Sequence, residues 1–172
     1  TSITTIGKIY ADSGQDSIAL RTIDFVEREY FKATIIARVA VAYADSGRFA
    51  DAIALAGSIP DPVNRAELFY EISLRYAKSR LFDEALSMTE MITDGAYRAL
   101  ALTEIADEFS KNSQEDMAMQ LLIQSRQVAD TIEEEKYKAI AISQIAVKYM
   151  DRSKYTEAFE VAEELKAAED RE

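Results

Sequence analysis

Cysteine and histidine are both absent from this sequence of 172 residues. Without cysteine there is no disulfide and no thiolate nucleophile, and without either residue the usual zinc ligands and the imidazole acid or base are missing. We therefore expect no metal site, no cofactor and no catalytic residue, and we predict that the chain is not an enzyme. A chain without cysteine is also typical of a reducing compartment, so we expect a cytoplasmic protein.

Glycine and proline are scarce, with five and two residues respectively. Few positions therefore force a helix to stop, and few residues are suited to hairpin turns. A composition of 48% hydrophobic and 30% charged residues is typical of a folded protein. Together these features predict one all-α domain over residues 1–172. No apolar run approaches the roughly 20 residues that span a bilayer, so we expect no membrane partner.

Basic residues are outnumbered by acidic ones, 20 against 31, which gives a formal net charge of −11. Such a field repels phosphate backbones and anionic lipid headgroups. We therefore expect no nucleic acid as a ligand, and we expect neutral or basic partners instead.

An aromatic residue recurs along the chain at intervals of 33, 33, 33 and 40 residues. An alanine follows it by nine residues in every copy. The aromatic positions are Tyr10, Tyr43, Tyr76, Phe109 and Tyr149, and the alanines are Ala19, Ala52, Ala85, Ala118 and Ala158. Self-similarity at a fixed period of this length is the signature of a repeat protein.

The residues before each aromatic form one stripe of a helix. A bulky residue lies seven positions before it, an apolar residue four positions before it, and a small residue directly after the apolar one. We predict that this first helix ends near residues 12, 45, 78, 111 and 151. Gly14 and Gly47 would supply a left-handed residue that ends it. Arg80, Ser113 and Ser153 replace that glycine, so those elbows are either mildly strained or shaped differently.

This spacing resembles the tetratricopeptide repeat family, whose units are antiparallel helix pairs of about 34 residues. The resemblance covers the whole chain as five repeats, at about 1–31, 32–64, 65–97, 98–137 and 138–172. It implies a right-handed superhelical solenoid of five helix pairs. The bulky position is never tryptophan here, and Asn64, Tyr97 and Tyr137 replace the proline between repeats.

The interval of 40 residues places seven extra residues within 124–136. Seven residues turn a helix by about 700°, close to two full turns, so the apolar faces stay in register. We therefore predict longer helices at this point rather than a long loop.

In the family that this chain resembles, the first helix of each repeat lines a concave groove. The resemblance therefore implies groove positions that flank the packed stripe. They are Lys8, Arg38, Val41, Tyr70, Glu71, Leu74, Thr103, Glu104, Asp107, Ser143, Gln144 and Val147. The central acids Glu71, Glu104 and Asp107, beside Tyr70, suit a peptide with basic and apolar side chains. An unused, solvated groove is the alternative.

The resemblance implies a non-catalytic scaffold that binds a peptide or protein segment in this groove. Two other interpretations stay open, a regulatory sensor domain for a small ligand or signalling peptide and a noncatalytic segment of a larger enzyme. Solenoid ends need covering. We therefore expect either that the chain is a segment of a longer array or that it forms a homo-oligomer through an uncovered end.

Overall fold

The structure is a computed structural model that describes residues 2–169, with side chains through Glu163. The described residues form ten α-helices and one short 3-10 helix at Ile23–Phe25, without a β-strand. The helices are α1 Ile3–Asp12, α2 Asp16–Thr22, α3 Glu29–Asp45, α4 Phe49–Gly57, α5 Pro62–Lys78, α6 Phe82–Thr89, α7 Gly95–Lys111, α8 Glu115–Asp130, α9 Glu135–Asp151 and α10 Tyr155–Glu169. We call the odd-numbered helices the first helices and the even-numbered ones the second helices.

The helices pack as five antiparallel pairs within the described part of the chain. Each first helix contacts its own second helix and the first helix of the following repeat. Each second helix also contacts the following first helix. This pattern places α1, α3, α5, α7 and α9 side by side. The predicted all-α solenoid of tetratricopeptide type is therefore confirmed.

All five elbows between the paired helices have the same shape. The first helices end at residues 12, 45, 78, 111 and 151, as predicted. Two residues later comes a residue with φ between 57° and 77° in every copy, at Gly14, Gly47, Arg80, Ser113 and Ser153. The next amide donates to the carbonyl of the recurring aromatic, as from Arg48 to Tyr43 at 2.8 Å and from Leu81 to Tyr76 at 2.9 Å. The three elbows without glycine thus keep the left-handed conformation and its strain.

Aspartates set the start of two first helices. The carboxylate of Asp61 accepts a hydrogen bond from the Asn64 amide at 2.8 Å, and that of Asp94 accepts one from the Tyr97 amide at 3.0 Å. Each satisfies an amide that has no partner within its helix. Pro62 occupies the first turn of α5, where its missing N–H is not needed.

The seven extra residues lengthen a helix, as predicted. Helix α8 has 16 residues where α6 has 8. Because α8 is longer, it lies against α7 over most of its length and carries Ser125 into the interior.

The recurring small residues form the centre of the packing. The five alanines nine residues after the aromatic are buried, and so are Gly7, Ala40, Ser73, Ala106 and Ala146 on the first helices. Two buried clusters share contacts with Tyr43 and Leu55, so the core runs on from the first repeat into the others. A core built from neighbouring pairs in this way holds the first helices at a fixed spacing.

Candidate binding face

The predicted groove residues all belong to the first helices α1, α3, α5, α7 and α9. We call the surface that these helices form the first-helix face. Gln144 and Ser143 are exposed on α9, whereas Lys8, Tyr70 and Leu74 are half-buried. The Ser143 hydroxyl donates to the Ile140 carbonyl of its own helix at 2.8 Å. Val147 is exposed near the C-terminal end of α9.

A cavity of about 700 Å³ opens on this face between α3 and α5. It brings together three of the predicted residues, Arg38, Val41 and Glu71. Its apolar lining includes Ala33, Ala37, Ala42, Ile59 and Leu68, and its acids are Asp12, Asp45, Glu67 and Glu71. Arg38 is the one basic residue of the lining within the described residues. We call this site the α3–α5 cavity.

Ion pairs join consecutive first helices, α1 to α3 and α3 to α5, near the C-terminal ends of these helices. Nη1 of Arg38 lies 2.6 Å from Oδ1 of Asp12, and Nε of Arg75 lies 2.6 Å from Oδ1 of Asp45. Nη1 of Arg75 also lies 2.6 Å from Oε2 of Glu71. These pairs hold two of the predicted groove residues, Arg38 and Glu71, in fixed positions, while their partial exposure limits the energy of each pair.

Two of the predicted groove acids are paired with the following repeat. Nζ of Lys148 lies 3.5 Å from both Glu104 and Asp107. Asp107 is also 3.0 Å from Nζ of Lys111 and 3.4 Å from Nη2 of Arg152. Burial by itself would raise the pKa of Asp107, but the hydrogen bond from Lys111 and the charges of Lys148, Lys111 and Arg152 lower it overall. The charge of Asp107 is therefore already paired within the chain, and its place in a ligand-binding groove stays a prediction.

Thr103 is the one predicted groove residue that is buried, with 1% of its surface exposed. Its hydroxyl lies 2.8 Å from that of Ser125, and both hydroxyls donate to the carbonyl of Ala99. Thr103 thus faces the second helix α8 and not the groove. Its assignment to the groove is wrong, because α8 covers this position.

A second cavity of about 810 Å³, which we call the tyrosine cavity, lies at the N-terminal ends of α7 and α9. Its lining contains Tyr97 and Tyr137, the apolar side chains Val63, Leu100, Ile132 and Ile140, and the acids Asp94, Glu133 and Glu134. Within the described residues no lysine or arginine lines it. Glu133 and Glu134 are exposed. One carboxylate oxygen of Asp94 accepts the hydrogen bond from the Tyr97 amide that caps α7.

The sequence analysis missed the tyrosine cavity, although it contained the signal. Tyr97 and Tyr137 are two of the three residues that replace the inter-repeat proline. A side chain at that position lies where one repeat joins the next, on the same face as the groove positions. An aromatic residue there adds contact surface at the entrance to the first helix.

Tyrosines connect the tyrosine cavity with the predicted groove. The rings of Tyr70 and Tyr97 have centroids 6.0 Å apart and a 44° angle between their planes. Burial, followed by the charges of Glu104 and Glu71, raises the pKa of Tyr70. Burial, followed by the charges of Glu67 and Asp94, likewise raises the pKa of Tyr97. Both hydroxyls therefore keep their protons at neutral pH and lie within a negative local field.

The described residues contain no group of three acidic, histidine or cysteine side chains placed to hold a metal ion. No helix among them is long and apolar enough to cross a membrane.

The period, the elbows and the packing of first helices against one another define a helix-pair solenoid of tetratricopeptide type. No protein-family model matches the sequence, and no curated protein matches it. A likeness to solved structures is found with the nearly identical TPR-like repeats of a Podosopora anserina protein assigned to the kinesin light chains. The identity is 18%, the match covers 98% of this chain and 94% of that one, and the TM-score is 0.46.

Two further solved structures are similar. Ton1535 from Thermococcus onnurineus NA1 is 15% identical over 96% of this chain and 54% of that one, with a TM-score of 0.48. MamA of AMB-1 is 18% identical over 96% of this chain and 90% of that one, with a TM-score of 0.41.

Proposed function

We propose that this chain is a non-catalytic interaction scaffold that binds a peptide or protein segment along the first-helix face. The observation that carries the proposal is the tyrosine cavity, which combines two tyrosines, four large aliphatic side chains and three acids without a basic residue in its described lining. Aromatic and aliphatic surface beside carboxylates complements a segment with apolar and basic side chains.

A cation is already present beside one of these rings. Nζ of Lys136 lies 5.7 Å from the centroid of the Tyr137 ring. A lysine or arginine of a ligand would meet the same kind of surface from the cavity side, with Glu133 and Glu134 close by. The negative field around Tyr70 and Tyr97 extends this preference toward the α3–α5 cavity.

The fixed spacing of the first helices supports the same function. The ion pairs between first helices hold the first-helix face in place. A preformed surface loses little conformational freedom when it binds, so more of the contact energy remains as affinity.

Selection from a displayed library of random peptides tests the proposal. We expect the chain to enrich peptides that contain lysine or arginine together with apolar residues. The double variant Tyr137→Ala, Glu133→Lys should bind the enriched peptides at least about tenfold more weakly, because it removes contact surface and reverses a charge at the rim. Binding is measured by fluorescence anisotropy with labelled copies of the enriched peptides.

The control is the double variant Phe25→Ala, Glu27→Lys, which makes the same changes at exposed residues outside both cavities. It should keep the wild-type affinity. A library from which no peptide is enriched contradicts the proposal, as do enriched peptides that bind the Tyr137 variant as well as the wild type.

A further inference from the structure

The tyrosine cavity is formed where neighbouring repeats meet, by three consecutive first helices and the linker between α8 and α9. Its large apolar and aromatic side chains come from all four elements. They are Val63 of α5, Tyr97 and Leu100 of α7, Tyr137 and Ile140 of α9, and Ile132 of the linker. Its volume of about 810 Å³ lies within the range of about 300–1,000 Å³ that is typical of ligand cavities.

The carboxylates of this cavity lie at its rim. Glu133 and Glu134 are exposed, and Asp94 is half-buried. Oδ1 of Asp94 already accepts a hydrogen bond from the Tyr97 amide at 3.0 Å. No carboxylate of the described lining is therefore buried. A cation that enters past the rim meets ring and aliphatic surface instead of a buried acceptor.

This arrangement is poorly suited to the ammonium group of an unmodified lysine. That group has three N–H donors and is strongly hydrated, and each donor that loses water without gaining an acceptor costs free energy. A trimethylated ammonium has the same charge but no N–H donor. It therefore leaves water more readily and is attracted to the face of an aromatic ring, within about 6 Å of the ring centroid.

The charges around the two rings favour a cation without requiring a hydrogen bond to it. Burial, followed by the charges of Glu67 and Asp94, raises the pKa of Tyr97, so this side chain lies in a negative field. Nζ of the exposed Lys136 lies 5.7 Å from the centroid of the Tyr137 ring. The ring of Tyr137 is thus already placed in a way that attracts positive charge.

We infer that the tyrosine cavity binds a trimethylated lysine of a protein segment, with its quaternary ammonium group against the rings of Tyr97 and Tyr137. The carboxylates of Glu133 and Glu134 compensate the charge from the rim. This inference rests on the proposed function and sharpens it, because it specifies the chemical state of the basic residue. Lysine and trimethyllysine carry the same charge, so the preference between them arises from the ring and aliphatic surface.

Nuclear magnetic resonance titration of the chain with isotopically labelled tyrosine rings tests this inference. The probes are the N-acetyl methyl ester of trimethyllysine, the same derivative of unmodified lysine, and a neutral analogue in which carbon replaces the trimethylated nitrogen. We expect the trimethylated probe to shift the ring signals of Tyr97 and Tyr137. It should bind at least about fivefold more tightly than either of the other two probes.

Substitutions of Tyr137 separate the ring from its hydroxyl. Tyr137→Leu should bind the trimethylated probe at least about fivefold more weakly, whereas Tyr137→Phe should keep the wild-type affinity, because the ring face attracts the cation. The matched control is Tyr155→Leu, which changes an exposed tyrosine outside the cavity and should also keep the wild-type affinity. Circular dichroism melting of each variant shows that it is folded.

Equal affinity for the lysine and trimethyllysine probes would overturn the inference and leave the proposed function intact. A neutral analogue that binds as tightly as the trimethylated probe would overturn it as well, since the cavity would then select apolar surface alone. Choline that binds more tightly than the trimethylated probe would overturn the assignment to a protein segment. Because the probes are single amino-acid derivatives, their result is separate from the peptide selection that tests the proposed function.

Discussion

The ring of Phe49 at the start of α4 lies on the ring of Tyr76 in α5, with 15° between their planes and 3.8 Å between their centroids. This stacked pair joins two repeats, since Phe49 belongs to the second helix of one and Tyr76 to the first helix of the next. A stacked aromatic pair contributes beyond the area that it buries. In a solenoid the contact between neighbouring repeats is what makes them unfold together.

We expect Phe49→Ala to destabilise the chain by about 2–3 kcal/mol, because it removes the stacked ring from a half-buried site. Phe49→Leu, which keeps most of the apolar volume, should cost about 1 kcal/mol. Urea denaturation followed by circular dichroism measures both variants. A Phe49→Leu variant that is as stable as the wild type would contradict the role of stacking.

The elbows provide a test of backbone strain with little change in packing. Gly47 has φ of 77°, and a Cβ added there would contact nothing within 4 Å. Gly47→Ala should therefore cost about 1 kcal/mol through the left-handed conformation alone. Arg80, at the same position with φ of 61°, offers the reverse change. Arg80→Gly should gain about 0.5 kcal/mol, since the relief of strain is partly offset by the greater freedom of glycine in the unfolded chain.

Both elbow variants are compared with the wild type by urea midpoints at equal m-values. A stabilising effect of Gly47→Ala, or a loss of stability in Arg80→Gly, would show that these elbows do not share one conformation.

Gly7 is required for close approach rather than for an unusual backbone conformation. A Cβ on Gly7 would collide with the Thr22 hydroxyl and lie 2.7 Å from Cδ1 of the buried Ile35. Gly7→Ala should therefore destabilise the first repeat by about 1–3 kcal/mol. At Gly57 a Cβ would enter open space, so the control Gly57→Ala should instead gain about 0.5–1 kcal/mol. Thermal melting of the pair distinguishes crowding from helix propensity, and a gain in both variants would exclude crowding at Gly7.

The ion pairs of Asp107 predict how the stability of the fold depends on pH. Burial opposes its ionisation, but Lys111, Lys148 and Arg152 bring the pKa of the folded state below the reference value of 3.8. A lowered carboxyl pKa contributes stability above the unfolded-state pKa, and that stability is lost as the pH falls through the folded-state pKa. We therefore expect Asp107→Asn to destabilise the chain by about 1–2 kcal/mol at neutral pH, with the difference from wild type disappearing in acid.

The stability difference between Asp107→Asn and the wild type is measured by urea denaturation at a series of pH values from neutral to acid. Asp151→Asn, at the exposed end of α9, is the control and should cost less than about 0.5 kcal/mol at neutral pH. A difference for Asp107→Asn that stays constant down to acid pH would show that its ion pairs do not stabilise the fold.

Much of the fold followed from local patterns. The first helices end where the sequence predicted, because the stripe, the aromatic and the elbow residue all lie within one short stretch of chain. The lengthening of α8 followed from the near-integral number of turns in seven residues. Both arguments depend on helix geometry, which neighbouring residues largely determine.

The candidate site could be predicted less completely from the sequence, because its chemistry depends on contacts between repeats. The position of Thr103 identified a first helix but did not reveal that the lengthened α8 brings Ser125 against it. The charge of Asp107 was visible in the sequence, whereas its neutralisation requires Lys148 and Arg152, which lie on the next repeat. Tyr97 and Tyr137 were noticed only as departures from a family pattern.

The sequence by itself determined a chain of helix pairs with a fixed period, since the period, the small residues and the elbow residues are properties of each repeat. The tertiary structure alone decided which charges are paired and which surfaces are open, including the tyrosine cavity. The physical reason is that helix formation depends on residues a few positions apart, whereas burial and ion pairing depend on residues that only packing brings together.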